Sequence, residues 1–309
     1  MIEKFNKQKK WFLFSGVFLF ILFSLLITIG ESFGLISWKS VYNGVGVSDF
    51  SQSADDYDMS VHFIDVGKAD SIYIKCLGKN VLIDAGEKAT YDVVGEYLKK
   101  NGVKKLDLVI ATHPHSDHIG GMPDVLNDFS VERFLMPELK AEYVPTSKCY
   151  EKLLLALKNN NITPENPEPG SSFEIGEMEF DIFAPNSQYE ELNNDSIVAK
   201  VSFRNQSFLF TGDAQIESEN EMLARNFNLS STVLKVGHHG SKTSTSDKFL
   251  KKVNPKYAVI SVNSDMYNLP NKKIVKKLKN WGIETYRTDL NGTVILATNG
   301  ENITVIKEK

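Results

Sequence analysis

LDLVIATHPHSDHIGG, residues 106–121, is the stretch on which the fold turns. Its first seven residues form an apolar run interrupted only by Asp107, as expected of a strand buried on both faces. Immediately after it, His113, His115, Asp117 and His118 place four potential metal ligands within six residues, where the chain leaves the sheet. Neutral imidazoles and a carboxylate suit Zn2+, and also Mn2+ or Fe. Residues two apart on an extended segment point the same way. His113 and His115 can therefore share one ion, while Asp117 and His118 turn toward a second. Gly120-Gly121 follows and permits a close backbone approach and a helix start. A polar surface loop with chance histidines is the bland alternative. It is weak, because three of the chain's six histidines stand here.

Outward from this segment, short β-runs dominate. VHFIDV (61–66), SIYIKC (71–76) and NVLIDA (80–85) are spaced like a meander. MEFDIFA (178–184), SIVAKVSF (196–203), QSFLFTG (206–212), STVLKVG (231–237) and YAVISV (257–262) read as further strands, and 283–307 holds two or three closing ones. Helical patterns fall at 90–100, 145–160, 215–226, 246–253 and 271–281. Clustered strands with interspersed helices point to two mixed sheets packed face to face, with helices outside. The two halves of the chain could each supply one sheet.

Two more clusters sit at strand ends. Thr211-Gly212-Asp213 offers a carboxylate able to bridge two cations, and His238-His239-Gly240-Ser241 closes the following strand. Either alone reads as an ordinary turn or a packed pair. With His113 to His118 they put five of six histidines in strand-end loops, the exception being His62, and this favours a metal cleft.

These motifs together resemble the metallo-β-lactamase fold, and more narrowly the competence-protein (ComEC-type) hydrolase group. That group's opening motif is matched by Phe63-Ile64-Asp65-Val66-Gly67-Lys68-Ala69-Asp70, followed by Leu82 to Gly86, Asn193-Asn194-Asp195-Ser196, and Tyr286 to Asp289 with Gly292. The match runs in order over about residues 60–307. The resemblance implies an α/β, four-layer αββα sandwich and a two-metal hydrolase. It implies His113, His115 and Asp213 on one ion, and Asp117, His118 and Asp213 on the other. His238 or His239 completes the shell. His238 is taken as the ligand, with Asp117, His239, Asn194 and Ser241 as catalytic candidates. Asp84 is expected to orient the metal loop, and Asp65 and Asp70 to shape the nearby turn. The cofactors implied are two divalent cations, Zn2+ first and Mn2+ second. Two departures stand out. Lys68-Ala69 replaces the group's Gln-Gly, and Leu269 stands where relatives often place a histidine, so the second site is expected to be weaker or to use water or Asn268.

Residues 11–29 carry no charge, and fifteen of the nineteen are Trp, Phe, Leu, Ile or Val. Such a run spans roughly 30 Å as a helix, about one bilayer core. Lys4, Lys7, Lys9 and Lys10 precede it, which places the N-terminus in the cytoplasm and the rest outside. The apolar run exceeds a signal-peptide core and lacks a small-x-small cleavage site, so an uncleaved anchor is the better reading. The expected organisation is a basic stub (1–10), a transmembrane signal-anchor (11–29), a Ser/Gly/Asp-rich linker (30–58) and a hydrolase domain (59–309). The protein would thus be a single-pass cell-membrane protein. With one apolar span in the sequence and none of the polytopic segments of DNA-uptake channels, this chain is not expected to form the channel itself.

Composition bounds the rest. Over 309 residues, 42% hydrophobic and 24% charged residues exclude wholesale disorder. Two cysteines, Cys76 and Cys149, exclude a disulfide-framed scaffold. The net charge of −4 divides into +3 before the apolar run and −7 after it, against a tight nonspecific nucleic-acid coat. Nine lysines nevertheless crowd residues 248–279, against the single acid Asp265. They suit a phosphodiester backbone, or simply form a solvated helix face.

The expected activity is hydrolysis by a metal-activated water, with a phosphodiester (DNA or a cell-surface polymer) as the first substrate class. An amide, lactone or thioester is second. A non-catalytic anchored module with a degenerate metal site, suggested by Leu269, is third. The bilayer is the one partner expected besides substrate; no specific protein partner is indicated.

Overall fold

A computed structural model describes residues 22–26, 28–30, 50, 53–263 and 268–309. The chain divides into a unit of residues 1–53 and a unit of residues 54–309. In the first, residues 22–26 and 28–30 are helical, and the Thr28 hydroxyl donates to the Ser24 carbonyl at 2.9 Å. The basic stub and most of the expected anchor and linker lie outside the described residues. Among the described residues, no helix is long and apolar enough to cross a membrane.

The second unit contains strands β1 (Met59–Phe63), β2 (Ser71–Cys76), β3 (Lys79–Ala85), β4 (Lys105–Leu106), β5 (Leu108–Ile110), β6 (Ser130–Val131), β7 (Phe134–Leu135) and β8 (Ser172–Ile175). It continues with β9 (Met178–Ala184), β10 (Val198–Phe203), β11 (Gln206–Phe210), β12 (Val233–Lys235), β13 (Tyr257–Ile260), β14 (Glu284–Arg287), β15 (Val294–Thr298) and β16 (Ile303–Lys307). One seven-stranded sheet has the order β16-β15-β1-β2-β3-β5-β7, and the other β14-β13-β12-β11-β10-β9-β8. In each, antiparallel hairpins lead into parallel strands: β3-β5-β7 in the first sheet, β11-β12-β13-β14 in the second. The second sheet comes wholly from residues 172–287. The first comes from residues 59–135 plus the closing hairpin β15–β16. The one-half, one-sheet expectation therefore holds except for that hairpin.

Period-two alternation explains the layering. Val61, Phe63, Ile72, Ile74, Phe180, Ile182, Phe208 and Phe210 turn inward and form the core between the sheets. The opposite faces pack on helices. Helix Tyr91–Lys100 buries Tyr91, Val94, Gly95 and Leu98, the i, i+3, i+4, i+7 stripe of an amphipathic helix. Helices Met122–Asp128 and Lys148–Asn159 cover the same sheet. Helices Ile216–Ala224, Asp247–Val253 and Lys272–Asn280 cover the other. The result is a four-layer αββα sandwich.

The 106–112 run is shorter as a strand than its apolarity suggests. The Asp107 carboxylate accepts the Asn80 N–H at 3.0 Å and the Lys79 ammonium at 2.9 Å, and this separates β4 from β5. Both cysteines are free; Cys76 ends β2 in the core and Cys149 is half-buried on a helix.

Candidate metal centre

The C-terminal ends of parallel strands gather at one edge of both sheets, the usual place for a site in sheets of this kind. Asp84 lies near the end of β3, and His113 to His118 follow β5. Asp213 follows β11, and His238 and His239 follow β12. The site is therefore assembled from both sheets.

Its hub is Asp213, almost fully buried. Asp213 Oδ2 lies 3.4 Å from His118 Nε2, 3.5 Å from His239 Nε2 and 3.7 Å from His238 Nε2. Asp117 Oδ2 is 3.5 Å from His239 Nε2 and 4.0 Å from His118 Nε2. One ligand atom from each of Asp117, His118, Asp213 and His239 falls within 4.8 Å of the others. His113 and His115 adjoin this cluster. His113 Nε2 is 3.1 Å from His115 Nδ1, and the His113 and His118 rings are 4.1 Å apart.

Each ring is set by a bond on its far side. His118 Nδ1 is 2.8 Å from Asp84 Oδ2, and His239 Nδ1 is 3.0 Å from the Ser261 carbonyl. These bonds leave both Nε2 atoms facing inward, the arrangement by which outer partners orient metal-binding histidines. His118 Nε2, His239 Nε2 and Asp213 Oδ1 are buried without a hydrogen-bond partner. Buried polar atoms are nearly always bonded. Three exceptions within one cluster, from two imidazoles and a carboxylate, fit a divalent cation, and the N,O donor set suits Zn2+, Mn2+ or Fe.

Local backbone explains the convergence. Asp84 has φ 56°, and its carboxylate accepts the Thr112 N–H at 2.8 Å and the Thr112 hydroxyl at 2.7 Å. That ties the end of β3 to the histidine loop. The Asp213 N–H donates to Ser196 Oγ at 3.0 Å. His238 and His239 both adopt left-handed φ, 50° and 52°, uncommon outside glycine. Their rings diverge, with planes 70° apart. Gly121 packs so closely that a Cβ there would stand 2.3 Å from the Ala85 carbonyl oxygen. Gly121→Ala is expected to cost about 1–3 kcal/mol, read by chemical denaturation.

Of the two histidines that could complete the shell, His239 is buried in the four-residue cluster, whereas His238, the one taken as the ligand, is a quarter exposed, with Nδ1 3.2 Å from Thr243 Oγ1. Asn194 is buried with both ends of its amide bonded. Its Oδ1 accepts the Gln215 N–H at 3.0 Å and its Nδ2 donates to Glu217 at 3.0 Å, so it fixes the Asp213 loop. Asn268, the substitute ligand considered for Leu269, is exposed at a turn, and Leu269 packs on the apolar layer beneath helix Lys272–Asn280. Ser241 lies in the histidine loop, its hydroxyl 3.0 Å from that of Thr243. Asp65 is a turn carboxylate, accepting the Gly67 N–H at 3.2 Å. His62 stands apart. It is bonded to Tyr97 and Ser60, and burial pushes its pKa down to about 3.

Two features of the site escaped the sequence. Lys235 is buried at the floor of the cluster and pairs with Asp70 at 2.7 Å; a lysine ending an apolar strand gave no sign of its direction. Thr288 bonds both the N–H and the carbonyl of Val262, at 2.9 and 3.1 Å, beside the Ser261 carbonyl that orients His239. The Tyr286–Asp289 motif carried that signal without its meaning.

The electrostatics of the metal-free cluster predict a pH profile. Burial alone would lower the His118 pKa, but the Asp213 and Asp84 carboxylates outweigh it and hold it well above 6.5. His239 is raised by the same contest, burial against Asp213 and Asp70. Burial pushes the Asp213 carboxyl up, yet His239 and His118 hold it well below the usual range. Raised histidines stabilise the fold fully below their unfolded pKa and cease to do so as pH rises through the folded one. The depressed Asp213 stabilises above its unfolded pKa and ceases to do so as pH falls through the folded one. The stabilisation carried by His118, His239 and Asp213 in the metal-free protein is thus expected to be greatest between about pH 4 and 6.5 and to be lost above that window, while His62 and His113, kept neutral by burial, oppose it below about pH 6.5. With metal bound, the alkaline loss should vanish, because the cation replaces those protons. Melting curves from pH 5 to 9, with and without chelator, check this; parallel profiles would count against it.

An αββα sandwich with an Asp/His cluster at the strand ends defines a metal-dependent hydrolase class. The chain belongs to the Metallo-beta-lactamase superfamily, whose sequence profile matches residues 64–264. It is 32% identical over 254 residues to ComE operon protein 3 of Bacillus subtilis, covering 76% of this chain and 32% of that protein. It is 26% identical over 276 residues to Competence protein ComA of Neisseria gonorrhoeae, covering 88% and 37%. The chain thus spans about a third of the length of these relatives. Among solved structures, Igni18, a metallo hydrolase from Ignicoccus hospitalis, shares the fold, with TM-score 0.51 and 15% identity over 76% of this chain and 98% of that one.

Proposed function

We propose that this chain is a metal-dependent phosphodiesterase, acting on DNA or a cell-surface phosphodiester polymer outside the cytoplasm and anchored in the membrane through residues 11–29. The observation that carries the catalytic part is the cluster of Asp117, His118, Asp213 and His239, with three buried ligand atoms left unbonded. A divalent cation bound there supplies Lewis acidity, which makes water nucleophilic near neutral pH and stabilises charge on the substrate oxygen. The chain's own residues do the rest. Asp84 and the Ser261 carbonyl hold the imidazoles of His118 and His239. Asp117, partly open, is placed to accept a proton. His238, at the open side of Asp213, is placed to meet substrate or protonate a leaving group. His113 and His115 adjoin as the ligands of a second, weaker ion.

Two observations favour a phosphodiester. One relative bears the name Competence protein ComA. In addition, helix Lys272–Asn280 starts beside the metal loop, where the Asn271 N–H donates to the Gly240 carbonyl at 2.9 Å. That helix exposes Lys272, Lys273, Lys276 and Lys279. The lysines before residue 11 and the apolar run after them support the anchor and its orientation.

The test uses the full chain in detergent, loaded with Zn2+ or Mn2+, on DNA, bis-p-nitrophenyl phosphate, nitrocefin and a lactone. Phosphodiester turnover abolished by His118→Ala is the expected result. Faster lactam or lactone turnover would transfer the reading to those substrates, and bound metal without any turnover would favour a binding module.

A further inference from the structure

The floor of the metal centre holds an ion pair, Lys235 with Asp70, that lies outside the four-residue cluster of Asp117, His118, Asp213 and His239. Lys235 ends β12 in the second sheet, and Asp70 stands just before β2 in the first. Both side chains are 1% exposed, and Nζ lies 2.7 Å from Asp70 Oδ2. The ammonium also donates to the Val236 carbonyl at 3.1 Å. Among the described residues, no other lysine or arginine pair buries both partners so fully. Taking two charges out of water is costly, and such a pair often adds little to stability compared with apolar side chains of the same volume. Its retention calls for a reason other than the core.

Its position supplies one. Behind the histidines, Asp70 Oδ1 lies 3.7 Å from His239 Nδ1 and Oδ2 lies 3.9 Å from His118 Nδ1. Its main chain is fastened to the first-sheet half of the site. The Asp70 N–H donates to the Asp117 carbonyl at 3.1 Å, and the Gly86 N–H donates to the Asp70 carbonyl at 2.8 Å. Asp117 and His118 belong to the first sheet, Asp213 and His239 to the second. The pair therefore runs from one half of the cluster to the other directly beneath it.

We propose that Lys235 and Asp70 form a preset clamp for the metal centre. Lys235 is a positioning residue that draws Asp70, and with it Asp117 and His118, against Asp213 and His239 before any metal arrives. It also acts as a resident cation among the carboxylates of Asp70, Asp84, Asp117 and Asp213, limiting their mutual repulsion in the empty cluster. The inference rests on the metal-holding part of the proposed function and not on its substrate.

The test compares the full chain with K235M, D70N and D70N/K235M. It measures metal affinity by calorimetry against a competing chelator, alongside the Tm of the metal-free protein. Each single change strands a buried charge or donor and should lower Tm. The double change removes both charges and should restore Tm to within a few degrees of the parent, yet bind metal about tenfold or more weakly. A double variant with parental Tm and parental affinity would overturn the clamp and leave the pair a feature of the fold alone. A measurement on the unmodified chain is independent of whether any variant folds. Acetic anhydride should modify exposed Lys272 and Lys273 in the metal-free protein and spare Lys235 equally with and without metal. Acetylation of Lys235 in the metal-free state alone would show that the clamp does not precede the metal, and would overturn the inference. Neither readout involves a substrate, so failure here is distinct from failure of the phosphodiesterase reading.

Discussion

Asp213→Asn is expected to lower metal-dependent turnover by about 10³-fold while leaving the shape of the site intact. Asn matches Asp in volume and keeps the main-chain bond to Ser196. It removes the anionic oxygen that lies within 3.4 to 3.7 Å of three imidazole nitrogens. Two consequences separate this from simple unfolding. Bound metal, counted by elemental analysis, should fall. The raised pKa values of His118 and His239 should drop toward their ordinary range, because Asp213 is the largest of the charges raising both. A variant that retains the parental metal content and turnover would remove Asp213 from the centre of the site.

Asp84→Ala is expected to be the most damaging single change behind the ligands. The Asp84 carboxylate accepts three donors: the Thr112 N–H, the Thr112 hydroxyl and the His118 ring. All are buried, so their loss leaves three groups without partners and a left-handed backbone with nothing to justify it. A cost of about 3–5 kcal/mol follows by analogy with broken buried ion pairs. Asp84→Asn keeps one acceptor and should cost less, while weakening metal binding by about 10–100-fold through a misaligned His118. Urea denaturation of the metal-free protein and metal titration distinguish the two. Equal stability of Asp84→Ala and parent would show that Thr112 and His118 find other partners.

The histidine-rich loop was legible because the chemistry is local. Four ligands within six residues, directly after an apolar strand, leave little else to read. Asp213 was legible only in combination, since a carboxylate after a strand is also a common turn. The assignment of His238 and His239 was not legible, because it depends on two successive left-handed residues that turn adjacent rings apart. Lys235 was invisible for a related reason. Whether a lysine at a strand end goes to water or to a carboxylate is decided by the opposite sheet, here by Asp70, 165 positions earlier in the numbering. The loop-bracing bonds of Asn194 were not legible, because their partners, Gln215 and Glu217, stand more than twenty positions later in the chain. The two sheets were foreseen from alternation and turn spacing. The return of β15 and β16 to the first sheet was not, because a strand's pattern specifies which face is buried but not which neighbour it joins.

That return has a consequence for how the protein is made. β1 pairs with β15 along its whole length, Met59 opposite Thr298 and Phe63 opposite Val294. At ordinary ribosomal rates, β1 waits about 10–50 s between its own synthesis and that of its partner. Through that interval the first sheet has an open apolar edge, the kind of surface that recruits foreign strands. The histidine loop is already emerged, but the sheet that carries it is unfinished. The metal-binding half-sites therefore reach their final spacing only near the end of translation. Premature termination before β15 should yield an aggregation-prone chain rather than a smaller working enzyme.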